Sequence, residues 1–164
     1  MDAIRDRLHV EAPAAEPIIV LSRSFNAPRR LVWKVMTEPE HIARWWGPRS
    51  VRTTVARHDF RVGGAWRYEH HMADGNVYAF KGEFREIVPQ ERLVQTFAME
   101  GMYEDSEIVE TMTLDEVDGR TDYKVVSRFE NMEGRDGMLA SGMESGAGES
   151  LDKIAEILDE LQRA

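Results

Sequence analysis

Apolar and polar residues alternate along residues 65–72. Trp66, Tyr68, His70 and Met72 fall on one face of an extended chain, and Arg67, Glu69 and His71 fall on the other, the period-two mark of a half-buried strand. Asp74-Gly75-Asn76 supplies a tight turn into a second run over 77–88, whose Tyr78, Phe80, Gly82 and Phe84 turn toward the same interior. Further strands are predicted on both sides of this hairpin. Residues 18–25 open with Ile18-Ile19-Val20-Leu21, 50–60 lead into the turn at Gly63-Gly64, and 92–99 follow Pro89-Gln90-Glu91. After a polar loop over 100–106, residues 107–117 and 120–130 pair through Asp118-Gly119 as a closing hairpin. In it Ile108, Met112 and Leu114 look inward from one strand, and Tyr123, Val125, Ser127 and Phe129 from the other.

The remaining segments carry helical spacing. Pro28 suits the first turn of a short helix ending near Met36. Thr37-Glu38-Pro39-Glu40 then reads as a capping box with Thr37 as N-cap, opening a second short helix that Gly47-Pro48 stops. At the end of the chain Leu139, Met143, Ala147, Leu151, Ile154, Leu158 and Leu161 recur in steps of three and four, which predicts one long helix over 134–164. Asp152, Lys153, Glu156, Asp159 and Glu160 fall on its solvated back. Its first half carries Gly137, Gly142, Gly146 and Gly148, each costing about 1 kcal/mol relative to Ala. Close packing against a sheet, a frayed first half, or room left for a bound molecule would each account for them.

The order of strand, two short helices, antiparallel strands and a long helix predicts an α+β fold. Its sheet of about seven strands needs a cover for one apolar face. A helix of about 30 residues, roughly 45 Å long, is long enough to be that cover, and the two would enclose a cavity. Residues 18–164 read as a single domain. Residues 1–17, ending in Ala12-Pro13-Ala14-Ala15-Glu16-Pro17, read as a flexible leader in which Ile4 and Leu8 allow at most a short helix.

Composition narrows the function classes. A net charge of −9 argues against sequence-independent nucleic-acid binding, which needs Lys and Arg to neutralise phosphates. The chain has no cysteine, so disulfides, thiolate metal ligands and a cysteine nucleophile drop out. No apolar run approaches the length of a membrane span, and the first residues lack a signal peptide's apolar core; a cytoplasmic protein is expected. Nine Met residues favour an adaptable interior.

Three spaced motifs carry a resemblance: Trp45-Trp46-Gly47-Pro48, then the run from Asp59-Phe60-Arg61-Val62-Gly63-Gly64 to Tyr68, then Gly82-Glu83-Phe84-Arg85-Glu86-Ile87-Val88-Pro89 to Val94. Over about residues 18–162 the chain resembles the bacterial proteins similar to the C-terminal domain of the activator of the heat-shock chaperone ATPase. These belong to the START-like or SRPBCC superfamily, which includes the birch-pollen allergen. The resemblance implies a helix-grip fold: a seven-stranded antiparallel sheet around a long C-terminal helix with a pocket between them. It implies function less well, because members include lipid and hormone binders, polyketide cyclases and aromatases, and a co-chaperone domain. Where the family often places a bulky aromatic after Gly146, this chain has Ala147. Either the cavity is roomier here, or Trp66 and the Met residues fill the gap.

The candidate chemistry is sparse. His70 and His71 point to opposite faces and cannot chelate one ion together; no metal and no cofactor are expected. His70, between Tyr68 and Met72, could orient a ligand or move a proton near neutral pH, or be a hydrogen-bonded core histidine. Glu110 shares an inward face with Ile108 and Met112, where a carboxylate shifts its pKa or finds a partner. No Gly-x-Ser-x-Gly elbow occurs. In Gly146-Ala147-Gly148 the third glycine position of a dinucleotide fingerprint is Leu151, so that motif is absent too. Of Trp45 and Trp46, at least one ring is expected in the core and the other could rim a pocket.

The leading expectation is a binding module for a small, largely apolar molecule, lined by Trp66, Tyr68, His70, Tyr78, Phe80, Phe84, Met112, Met143 and Ala147. The alternatives are a cyclase-like, aromatase-like or hydrolase-like enzyme using His70, Tyr68 or Glu110, and a co-chaperone-like interaction domain. Exposed Met or aromatic residues could also support a homodimer.

Overall fold

The computed structural model describes residues 6–101 and 106–164. Eight antiparallel strands form one curved sheet: β1 (His9–Glu11), β2 (Ile18–Phe25), β3 (Arg52–His58), β4 (Ala65–His71), β5 (Val77–Val88), β6 (Arg92–Met99), β7 (Ile108–Val117) and β8 (Arg120–Arg128). Their spatial order is β1-β2-β8-β7-β6-β5-β4-β3. Helices α1 (Arg29–Thr37) and α2 (Pro39–Trp45) carry the chain from β2 to the far edge, and α3 (Met132–Ala140) and α4 (Met143–Arg163) follow β8. Irregularities between Val55 and Arg57 and between Phe84 and Glu86 bend the outer strands as β-bulges do.

The register fixes which residues share the inner face. One row crosses the sheet as Ile19, Ser127, Glu110 and Gln95, and the row beside it as Leu21, Val125, Met112 and Leu93. Leu93, Met112 and Val125 of the second row are buried, together with Trp66, Tyr68, Phe84 and Leu114, and pack in one cluster with Leu151, Ile154, Ile157 and Leu158 of α4 and Val32 and Val35 of α1. Each of these side chains contributes about 1.5–3 kcal/mol by leaving water. A smaller cluster gathers Leu8, Val10, Ile108, Met138, Leu139, Met143 and Ala147 around Ile19, Leu21 and Phe129.

The α+β helix-grip reading holds, with an eighth strand. All seven strands expected from residue 18 onward are present, and the additional one, β1, lies within residues 1–17. It pairs His9, Val10 and Glu11 with Ser22, Leu21 and Val20. Arg135 of α3 ties the same segment down by donating through Nη1 to the carbonyls of Pro13 and Glu16.

Two helix boundaries differ from the sequence expectation. The expected single C-terminal helix is broken at Ser141-Gly142, where Gly142 takes φ +83°, a left-handed conformation that ends one helix before the next begins. The first piece starts earlier than residue 134, because Asn131 caps it by accepting from the Gly134 amide at 2.8 Å. Helix α4 alone spans about 32 Å. The capping box at Thr37 does not form. Pro39 holds the residue before it extended, so Glu38 is the N-cap of α2 without a side-chain bond, while Thr37 stays in α1 and donates to the Trp33 carbonyl at 2.7 Å. Among the described residues, no helix is long and apolar enough to cross a membrane.

Candidate functional site

The end of α2 delivers an indole onto the inner face of the sheet. Trp46 is the C-cap residue of α2, its amide donating to the Ile42 carbonyl at 3.0 Å. Its carbonyl accepts from Thr53. Next to it Gly47 is tied to α4, the Gly47 amide donating to Ser150 Oγ at 2.9 Å and Ser150 Oγ donating back to the Gly47 carbonyl at 3.0 Å. Thus anchored, the Trp46 ring lies 4.9–5.2 Å from His70, Phe80 and Tyr68, and just over 6 Å from Trp66 and Phe97. Edge-to-face geometry with Tyr68 and Phe80 suits the ring quadrupoles. Trp45 is spent on structure, its Nε1 donating to the Val35 carbonyl at 2.8 Å.

The residues singled out in the sequence divide into four groups. Trp66, Tyr68, Phe84 and Met112 are fully buried, Trp66 at 1% exposure. Phe80 and His70 are half-buried against Trp46 and each other, with ring centres 4.7 Å apart. Met143 and Ala147 sit in the smaller cluster with Ile108. Tyr78, the register partner of His70, is 45% exposed and stands at the surface.

Of the groups considered for proton transfer, Tyr68 is occupied. The Tyr68 hydroxyl meets His58 Nδ1 at 3.1 Å, and His58 Nε2 meets the Thr37 carbonyl at 2.7 Å. A carbonyl only accepts, so Nε2 carries the hydrogen and Nδ1 accepts from Tyr68. Burial raises the Tyr68 hydroxyl and lowers the His58 imidazole, the Thr37 bond opposing the latter. His70 Nε2 is buried with no hydrogen-bond partner and faces Gly47 so closely that a Cβ there would lie 2.5 Å from it. Burial, then the Lys153 charge, lowers His70 to about 4, so the ring is neutral at pH 7. His71 points to the other face, with Nε2 3.1 Å from Thr54 Oγ1 and 3.4 Å from Glu69.

A polar row crosses the same inner face. Gln95 Nε2 donates to Glu110 Oε1 at 3.2 Å, and Ser127 is the other hydrogen-bonding neighbour of that carboxyl. Burial pushes the Glu110 carboxyl up, with Gln95 and Ser127 opposing. Burial also raises the Tyr123 hydroxyl, and the charge of Glu110 adds to the shift. The sequence pattern flagged Glu110 and the inward Ser127 and Tyr123. It missed Gln95, whose only signal is its place opposite Glu110, and Trp46 as the centre of the ring cluster.

The opposite face of the sheet carries a groove of about 470 Å³, where Arg57, Arg67, Lys81, Glu100 and Glu107 mix both signs of charge. Arg67 is committed to Glu100 at 2.7 Å and Glu69 at 2.5 Å. At the start of α2, Glu38, Glu40 and His41 bring ligand atoms within 4.8 Å of one another. The Glu40 carboxylate is already held below its usual range, first by a backbone hydrogen bond and then by Glu38.

Comparison with known proteins agrees with this fold. Residues 26–159 match the family model described as Activator of Hsp90 ATPase homolog 1-like protein. No curated protein matches the chain by sequence. Among solved structures, the chain is similar to a protein of Arthrobacter aurescens with 27% identity and a TM-score of 0.86, over 93% of this chain and 91% of that one. A protein of Chromobacterium violaceum is 27% identical with a TM-score of 0.75, over 87% of this chain and 96% of that one. A protein of Rhodobacter sphaeroides, 22% identical with a TM-score of 0.84 over 93% and 99%, shares the fold.

Proposed function

Because the chain belongs to the family of Activator of Hsp90 ATPase homolog 1-like proteins, whose fold is a ligand-binding one, we propose that it binds a small, largely apolar molecule between the sheet and α4. The site lies toward the end of that space where Trp46, Phe80, Phe97, Ile108, Met143 and Ala147 stay half-buried.

The observation that carries this reading is a contrast along the same strands. Leu93, Met112 and Val125 are buried, whereas Gln95, Glu110, Phe97 and Ile108, one and two rows further along, keep accessible surface. Glu110 and Tyr123 are desolvated enough to shift and still accessible, a combination that suits walls of an internal space lined by apolar groups with a few polar ones. The small residues of α4 support it further. A Cβ on Gly146 or Gly148 would meet Pro48 or Leu8 only at 3.9 Å, an ordinary contact, so close packing does not account for these glycines. Trp66, Tyr68, Phe84 and Met112 then form the packed floor, His70 a neutral flank, and Tyr78 the outer rim.

Fluorescence titration with N-phenyl-1-naphthylamine, an uncharged apolar dye that brightens out of water, tests the reading. Saturable one-to-one binding is expected, weakened at least about tenfold by Ala147→Trp, which puts a clashing ring into the space. Binding that does not saturate, or that Ala147→Trp leaves unchanged, overturns it.

A further inference from the structure

We propose that residues 6–11 are the gate of the interior site: a strap, held firmly at its root and weakly along its length, that closes the space between β2 and α4 and swings out to let an apolar ligand pass. The proposal rests on the binding reading above and adds the route by which the site is reached.

The strap extends the inner face of the sheet by one strand. Val10 lies opposite Leu21 of β2, and Leu8, two residues away, has the same side-chain direction. Both are half-buried. They pack with Ile108, Met143 and Ala147 around Ile19 and Leu21, so they stand between solvent and the end of the interior where the site is read. Moving the strap aside uncovers the edge of β2 and the first turns of α4 together.

Root and strap are held differently. At the root the buried Arg135 donates through Nη1 to the Pro13 and Glu16 carbonyls, while the Ile18 amide donates to the Glu16 carbonyl and the Phe129 amide to the Pro17 carbonyl, each at 2.8 Å. The strap itself has three register pairs with β2 and its two apolar side chains. Its His9–Glu11 bond is internal. Among the described residues, no hydrogen bond or ion pair joins residues 6–11 to α4. A segment with so few contacts opens locally at a fraction of the cost of global unfolding.

The seam between strap and helix is also the loose one. A recess of about 290 Å³ lies there, with Arg7 and Leu8 on one side and Ser145, Gly148 and Asp152 on the other, and the Leu8 side chain would meet a Cβ on Gly148 only at 3.9 Å. The opposite flank of α4 is tied by polar bonds, Ser150 to Gly47 in both directions and the Arg49 amide to Glu149 at 2.8 Å. Further along α4, Leu151, Ile154 and Leu158 are buried. The strap side is therefore where the interior opens with least disruption.

The chain has no cysteine, so the double variant His9→Cys/Ser22→Cys, at register partners of β1 and β2, can form one intramolecular disulfide that locks the strap. Antiparallel partners have Cα atoms about 4.5–5.5 Å apart, within the span of a disulfide. Stopped-flow fluorescence of N-phenyl-1-naphthylamine reads entry and release. Oxidation is expected to slow both at least about tenfold relative to the same protein reduced, with the dissociation constant changed by less than about twofold. Leu8→Ala should speed both at least about threefold. Equal rates in the oxidised and reduced forms overturn the proposal, and saturable equilibrium binding in both would leave the binding reading in place. If neither the wild type nor the reduced variant binds the dye, the binding reading itself falls. Should the disulfide not close, Leu8→Ala decides alone, and rates unchanged from wild type overturn the gate.

Discussion

His70 shows what a single side chain contributes to this interior. Its folded-state pKa of about 4 lies below the ordinary 6.5, so the unfolded chain takes up the proton first. The stability associated with the neutral ring is therefore complete above about pH 6.5 and is lost as pH falls toward 4, an effect on the order of 1–3 kcal/mol. His70→Gln is expected to flatten that acid limb, as followed by urea unfolding from pH 7 to pH 4. An unaltered acid limb would mean that other groups set it. At this scale the sequence was informative about direction and uninformative about contacts. Alternation along the strands placed Trp66, Tyr68, Glu110 and Met112 on the inner face because side-chain direction in a strand depends only on parity. Nothing in that parity tells that Tyr68 is spent on His58, that His70 abuts Gly47, or that Tyr78 lies far enough along β5 to leave the interior.

Among the elements, α4 poses the sharpest question, since its glycines weaken a helix that the rest of the molecule needs as a cover. With only ordinary contacts waiting for a Cβ at Gly146 and Gly148, Gly146→Ala and Gly148→Ala should each stabilise the protein by about 0.5–1 kcal/mol, read as a rise in the urea midpoint at unchanged slope. Destabilisation by either would show that the backbone there is packed more tightly than these contacts indicate. Strand boundaries were readable because turn residues punctuate them: Gly63-Gly64, Asp74-Gly75-Asn76 and Asp118-Gly119 all lie between observed strands. Helix boundaries were harder. The apolar stripe runs on from Leu139 to Leu161 without a break, so the interruption at Gly142 leaves no trace in periodicity. A capping-box match at Thr37 competes with the stronger demand that Pro39 makes on Glu38.

In the molecule as a whole, residues 9–11 belong to the sheet. Leu8 touches both apolar clusters and lies beside Gly148 of α4, so it helps to hold the cover helix on the sheet from the edge. Leu8→Ala should cost about 1–2 kcal/mol, below the range for a fully buried leucine because the residue is half-buried; a thermal melt unchanged from wild type would contradict this. Three residues of β1 are too few to show a period, and the surrounding prolines and alanines read as a linker, which is why the sequence did not reveal the strand. The fold class itself followed from the order of the elements and from three spaced motifs; the inner surface depended on how α2, α4 and the sheet meet.

That inner surface is tested most directly by mapping amide and side-chain NMR shifts as N-phenyl-1-naphthylamine is added to the full chain. The account predicts saturating shifts that cluster on the Trp46 indole, Phe80, Phe97, Ile108, Glu110 and the first turns of α4. Shifts concentrated on Arg57, Arg67 and Lys81 of the outer groove, or no saturating shifts at all, would contradict it.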